Sequence, residues 1–506
     1  MSEPVVRVDT GKVRGRSDGL VQTFLGLPFA APPVGPLRFR PPRRPAPWTD
    51  ARDATEHGPG AMQVPTVLES TRGFSGVCSE DCLYLNVWTP DPGRRHTPSL
   101  PVLVWIHGGS FVTGSGSIPW YDGTRLAARG DIVVVTLNYR LGPFGYLDLP
   151  AAGDDDHRSS GNLGLLDQIA ALAWVRDNIE AFGGDPGRVC VVGESAGSMS
   201  VGTLLTAEPA RGLVHRAIMQ SGTPVGSTPA QARSTAEEAF DLLGLPWNAM
   251  GLTRLVDLPG GAILRAGEEV TRRRHAATFS GNQGGFAWQP TVDGVTLLHD
   301  PWESTGAGAG AAVPVLVGTT GDEMRIVRVL APDLPAIDRA ELLDRLRRSD
   351  ARDAEAVVAA YQQRDPGGSP DDLWWSVLSD RVFGLPTSAF IAARARAGAP
   401  TWSYSFEWKS PVRHGLYGAS HTFEIPFVFD TFDAPGVEGV MGTATAGMQS
   451  LSRTMQDAWV RFAADGDPAS SALASWRPCG GEPTVTMLFD LESRIGPDPR
   501  PAAPRR

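Results

Sequence analysis

The residues of this chain best placed to do chemistry lie in Arg188-Val-Cys-Val-Val-Gly-Glu-Ser-Ala-Gly-Ser198, where Gly193 and Gly197 flank Ser195. A short apolar run that ends in Gly-x-Ser-x-Gly reads as a strand, a sharp turn and a helix. At such a turn the serine backbone is strained and its neighbours crowd together. Glycines remove the Cβ atoms that would clash, and the hydroxyl is held out above the sheet edge. With 58 glycines in 506 residues the pattern alone has little weight, and it gains weight from the strand before it and the helix after it.

A serine hydroxyl is a weak nucleophile at neutral pH and needs a base to take its proton and an acid to orient that base. Folds that use this turn supply the partners in the chain order serine, acid, histidine. Of the nine histidines only His414 and His421 follow the apolar run Val313 to Val317, which leads into Gly318-Thr-Thr-Gly-Asp-Glu-Met324. Asp322 or Glu323 is therefore the candidate acid, and His421, directly before Thr-Phe-Glu-Ile-Pro-Phe-Val-Phe429, is slightly favoured over the loop residue His414. Acyl transfer also needs donors for an oxyanion, and each backbone N–H so aimed lowers the barrier by about 3 to 4 kcal/mol. His107-Gly-Gly-Ser-Phe111 directly follows the run Val102 to Ile106, which makes Gly108 and Gly109 candidate donors together with Ala196.

The elements around these residues read as follows. Residues 5 to 25 alternate as short strands, and Pro32 to Pro42 is extended and proline-rich. Val102 to Ile106 and Ile132 to Leu137 are apolar runs of the kind found in central parallel strands, and Val189 to Val192, Ala217 to Met219, Val313 to Val317 and Trp402 to Glu407 read as further strands of the same sheet. Leu163 to Ala181 has helical spacing and ends at Gly183-Gly184. The fold class expected is α/β, with a large, mostly parallel central sheet, helices on both faces and a β-rich N-terminal extension. Residues 1–496 read as one domain with helical insertions around 230–285 and 332–398, and 497–506 as a disordered tail. Phe111, the 281–288 segment, Trp374, Trp375 and Phe383 are candidate walls of an aromatic substrate pocket.

Composition excludes several classes. A formal charge of −10 with no long basic run argues against nucleic acid as a partner. No stretch approaches the ~18 apolar residues of a membrane span, and the start lacks the pattern of a signal peptide. Cys78, Cys82, Cys190 and Cys479 are too few for a disulfide framework and have no zinc-ligand spacing, so reduced thiols, no metal and a cytoplasmic location are expected. No cofactor fingerprint is present. A monomer or small homo-oligomer fits equally well.

Several segments together resemble the type-B carboxylesterase/lipase family of the α/β-hydrolase fold, which includes bacterial para-nitrobenzyl esterases and the cholinesterases. They are Gly26-Leu-Pro-Phe-Ala30, Leu37-Arg-Phe39, Glu80-Asp-Cys-Leu-Tyr-Leu-Asn-Val87, Asn138-Tyr-Arg140, Phe182-Gly-Gly-Asp-Pro186, Gly193 to Gly197, Gln220-Ser-Gly222 and Val292-Asp-Gly294, so the likeness spans nearly the whole chain. The resemblance implies Ser195 as nucleophile, Glu323 as acid, His421 as base and Gly108, Gly109 and Ala196 as the oxyanion hole. It also implies an ion pair between Arg38 and Glu80, although the pattern around Arg38 alone reads as solvated. The chain departs from the family in having Ala61 where the partner of Cys82 would lie, which leaves Cys82 free, and Met324 where a glycine usually follows the acid. The expected activity is cofactor-independent hydrolysis of a small-molecule carboxylic ester, rising through roughly pH 6 to 7.5 as the imidazole becomes neutral. The alternatives are an acyltransferase or lactonase with the same triad, or a non-catalytic adhesion or scaffold protein on the same fold.

Overall fold

The computed structural model describes residues 3–500 apart from 75, 92–98, 130, 150–156, 280–285, 350–352, 471–472, 474–475 and 481–484. A small sheet is formed by β1 (Val5–Val8), β2 (Gly11–Arg14) and β5 (Arg52–Asp53). The remaining strands are β3 (Arg16–Ser17), β4 (Val21–Pro28), β6 (Tyr84–Pro90), β7 (Leu100–Ile106), β8 (Val133–Leu137), β9 (Gly184–Glu194), β10 (Arg216–Gln220), β11 (Val315–Thr320), β12 (Thr401–Phe406), β13 (Val485–Phe489) and β14 (Arg494–Pro497). They make one sheet in the order β14-β13-β12-β11-β10-β9-β7-β8-β6-β4-β3. Every pairing from β8 through β13 is parallel, and the antiparallel pairs lie towards the two edges.

The unbroken apolar runs follow from burial of both faces of the sheet. Along β7, Val102, Val104 and Ile106 pack into one core while Leu103 and Trp105 pack into another, and β9 divides Val189 and Val191 from Cys190 and Val192 in the same way. Five labelled helices matter for the site. They are α1 (Val67–Thr71), α2 (Leu163–Asn178), α3 (Ala196–Leu204), α4 (Pro370–Ser379) and α5 (Leu385–Arg396). Residues 229–279 contribute three further helices, Pro229–Leu242, Ala249–Asp257 and Gly260–Phe279.

The expectation for the C-terminal tail is corrected for its first residues. Pro497 closes β14, and the Arg500 guanidinium is buried between Asp498 and Ser403, so the chain stays packed to residue 500. Residues 501–506 lie outside the described residues. The parallel strands β7, β9 and β11 end on one side of the sheet, where open α/β sheets place their sites.

Candidate active site

Ser195 joins β9 to α3 with φ 56° and ψ −124°, a conformation that L-residues seldom adopt. It is held there on both sides. Its N–H donates to Gln220 O at 2.9 Å, and its carbonyl accepts from Met199 N at 2.9 Å. The flanking glycines are obligatory at this approach. A Cβ on Gly193 would lie 2.4 Å from the Gly197 carbonyl, and one on Gly197 would lie 2.0 Å from Ile106 O. The turn is therefore locked against the end of β7, the strand that leads into the oxyanion loop.

In that loop a Cβ on Gly108 would fall 2.8 Å from a carboxylate oxygen of Glu194 and 3.0 Å from Ser195 Cβ, so Gly108 packs directly on the serine turn. Gly109 takes φ +109°, and a side chain there would strike Thr113 O at 2.2 Å. Among the described residues the N–H groups of Gly108, Gly109 and Ala196 donate no hydrogen bond, which leaves three donors beside the serine unspent. Side chains behind the loop fix it. Gln63 bonds both backbone groups of Gly114 at 2.8 Å, Thr113 Oγ1 donates to Glu69 at 2.9 Å, and the Tyr139 hydroxyl donates to His107 O at 2.9 Å. The His107 ring stacks on Tyr139 with centroids 4.5 Å apart. Burial pushes its pKa down to about 4, which keeps it neutral, and its Nδ1 lies 2.8 Å from Gly108 O as a donor to that carbonyl.

Of the two candidate acids only Glu323 reaches a histidine. Its Oε2 lies 2.5 Å from His421 Nδ1, and its Oε1 accepts from Thr320 N at 2.9 Å. Asp322 faces the other way and clamps the chain at Ala419, with its carboxylate accepting from Ala419 N at 3.0 Å. His414 is exposed in a turn and joins neither group.

The other imidazole nitrogen departs from expectation. His421 Nε2 lies 3.0 Å from Glu194 Oε1, whereas among the described residues Ser195 Oγ makes no hydrogen bond. The imidazole is thus held between two buried carboxylates. Burial opposes its charge, but the Glu194 and Glu323 carboxylates outweigh that and hold its pKa well above the ordinary imidazole value. A third carboxyl, Glu424, accepts from Gln220 Nε2 at 3.0 Å, and burial beside Glu194 and Glu323 drives it towards its neutral form. Glu194 and Glu424 escaped the sequence reading, although Glu194 stands inside the Gly-x-Ser-x-Gly motif as a variable position.

The aromatic candidates divide. Phe111 is buried, 5.3 Å from the Tyr146 ring and 5.9 Å from Phe286. Phe383 lies 4.8 Å from the His421 ring. Trp375 is spoken for, since its N–H donates to Asp371 at 2.9 Å and Arg328 covers its face, while Arg345 lies over Trp374. Residues 281–285 of the 281–288 segment lie outside the described residues. Arg38 is not solvated. It forms a two-pronged pair with Glu80 at 2.6 Å and donates to the carbonyls of Val256 and Leu258. All four cysteines are free, and Cys82 and Ala61 are both buried beside the Arg38 pair.

Comparison with known proteins gives one answer throughout. The model of the carboxylesterase family matches residues 2–502. The para-nitrobenzyl esterase of Bacillus subtilis (strain 168) is 39% identical over 501 residues, covering 99% of this chain and 97% of the relative. The fumonisin B1 esterase of Sphingopyxis macrogoltabida is 36% identical over 93% of this chain and 84% of its own length. Among solved structures, a thermophilic PNB esterase superposes with a TM-score of 0.84 at 38% identity, and a carboxylesterase of Geobacillus stearothermophilus with 0.84 at 36%, each covering 98% of both chains. These are α/β-hydrolases that act on esters, and the chain belongs to the carboxylesterase family.

Proposed function

We propose that this carboxylic ester hydrolase works through Ser195 as nucleophile, His421 as base, Glu323 as the orienting acid, and Gly108, Gly109 and Ala196 as oxyanion donors. The observation that carries the reading is the Glu323 to His421 Nδ1 contact at 2.5 Å, beside a serine fixed in a strained turn and three unspent N–H groups. Neutral His421 turns Nε2 from Glu194 to Ser195 and takes the hydroxyl proton as Oγ attacks the ester carbonyl. The oxyanion accepts from the three N–H groups. The alcohol then leaves with the proton from His421, and water, deprotonated by the same imidazole, releases the acid from the acyl-enzyme.

Phe111 and Phe383 support an aromatic wall beside this centre, while the partners of Trp374 and Trp375 count against a substrate role for those two rings. The para-nitrobenzyl esterase among its relatives recommends aryl esters as first probes. No described helix is long and apolar enough to cross a membrane. Four free thiols support a reducing, cytoplasmic setting. The direct test is Ser195→Ala, with turnover expected to fall by a factor on the order of 10⁴ to 10⁶ in a folded protein. An organophosphate that labels the wild type should add its mass at Ser195. Esterase activity retained in the folded variant, or label on another residue, would sink the assignment.

A further inference from the structure

The helical segment that covers the site contains one irregular turn. α4 runs into Asp380–Gly384, where the helix widens, and continues as α5. The Leu385 N–H reaches back five residues to Asp380 O, the bond of a π-turn. The cause is local. Pro386 has no N–H to offer the Val382 carbonyl four residues earlier, and its ring crowds that position, so an ordinary helical turn cannot close there. One residue is thereby added to the turn, and the side chains after it are rotated relative to a regular helix. Asp380 is fixed by Arg364, and Arg381 by Ser349, so the turn is anchored at its start.

This turn stands over both partners of the proposed nucleophile. Ser379, its N-cap, accepts from Met324 N at 2.9 Å and so holds the residue that follows Glu323. Phe383, within the turn and 7% exposed, lies 4.8 Å from the His421 ring at an interplanar angle of 35°. Val382 beside it is 39% exposed, so the turn sends one neighbour out and the other onto the base.

We propose that Phe383, carried by the π-turn, is a positioning residue whose ring seats the His421 imidazole and confines its movement between Glu194 and Ser195. An imidazole that must carry its Nε2 from beside the Glu194 carboxylate to the serine hydroxyl needs a flat apolar surface that guides the ring without competing for either nitrogen. The groups that set the charge of the imidazole are Glu323 beyond β11, Glu194 at the end of β9 and Glu424 in its own segment. Tyr404 of β12 lies behind them, and Arg72 at the end of α1 reaches Thr422 next in sequence. Phe383 contributes apolar cover alone, and Asp380 and Arg381 of its turn are paired elsewhere.

The inference rests on His421 being the base, so His421→Ala is made in parallel, and an active His421→Ala would overturn that reading instead. With p-nitrophenyl acetate and p-nitrophenyl hexanoate, Phe383→Leu keeps apolar bulk and loses the flat face. We expect kcat to fall about tenfold for both esters with KM changed less than about twofold, because acylation and deacylation both use the base. Water reaching the ring would favour its charged form, so the acid limb of the kcat/KM profile should move to higher pH. Phe383→Tyr, which restores a six-membered ring, should recover most of the lost kcat. A rise in KM confined to the hexanoate with kcat unchanged would make Phe383 a substrate wall only. A loss of kcat that merely tracks the folded fraction, with the pH limb unmoved, would make it structural; either result overturns the proposal.

Discussion

Ser195 and its oxyanion loop pack backbone against backbone, with side chains bracing the loop only from behind, whereas the His421 ring is held by side chains from separate segments. On the serine side, Gly193, Gly197, Gly108 and Gly109 meet other main-chain atoms at distances that admit no Cβ. On the histidine side, Glu323, Glu194 and Phe383 reach the imidazole from the turn after β11, the end of β9 and the π-turn. The first arrangement has one geometry or none. The second can be adjusted one contact at a time, which suits a group that must exchange partners within a catalytic cycle.

Five substitutions probe this contrast, in decreasing order of effect. Gly197→Ala should be all-or-none, because its Cβ would lie 2.0 Å from a carbonyl oxygen that cannot move without β7. Turnover is expected to fall by more than about 10⁴, with loss of soluble protein as the alternative form of the same failure. Purified Gly197→Ala with near-normal kcat would remove the distinction between the two halves.

Glu323→Gln should lower kcat by roughly 10³ to 10⁴ while the protein stays folded, since the amide cannot stabilise the imidazolium or fix its tautomer as the carboxylate does. Asp322→Asn should cost less than about tenfold, through its clamp on Ala419. The reverse order would exchange the roles of the two neighbours.

Glu194→Gln sharpens the comparison through pH. The active imidazole is neutral, and the carboxylates beside it favour the charged form, so the acid limb of kcat/KM should lie above the ordinary imidazole range of about 6.5. That expectation is higher than the one the sequence alone suggests. Removing the Glu194 charge lowers the pKa of the base and should move that limb to lower pH. A limb that stays in place would mean that Glu194 does not face the imidazole in solution. Arg38→Met, the smallest effect, should cost about 1 to 3 kcal/mol in denaturant midpoint analysis by leaving Glu80 and two helix-end carbonyls unpaired, with kcat nearly unchanged.

The same contrast explains what the sequence could disclose. The Gly-x-Ser-x-Gly turn and the Gly108-Gly109 loop were legible because a backbone that tolerates no Cβ leaves glycines at fixed spacing. The sheet was legible because strands buried on both faces are apolar almost throughout, as in β7 and β8. The choice of Glu323 over Asp322 came from the family resemblance and not from the residues themselves, since adjacent carboxylates point apart only once the turn after β11 is built. Glu194 was hidden for another reason, because its meaning depends on where a residue 227 positions later in the chain arrives. Trp374 and Trp375 looked like a pocket wall, but as neighbours on a helix they cannot face the same way, and each found a cationic partner. The Pro386 that opens the π-turn was visible in the sequence, though which ring it would turn onto the base was not.

The described residues between Ala61 and Cys82 pack against the oxyanion loop and Thr422 with both of their cysteines free. Their ties are the Arg38 to Glu80 pair, the two bonds between Gln63 and Gly114, and Arg72 to Thr422 beside His421. Such packing is indifferent to thiol reductants and answerable to solvent. Dithiothreitol should leave turnover as it was. Low concentrations of guanidinium chloride, which competes for carboxylates and screens ion pairs, should loosen this segment and weaken substrate binding before the central sheet begins to unfold.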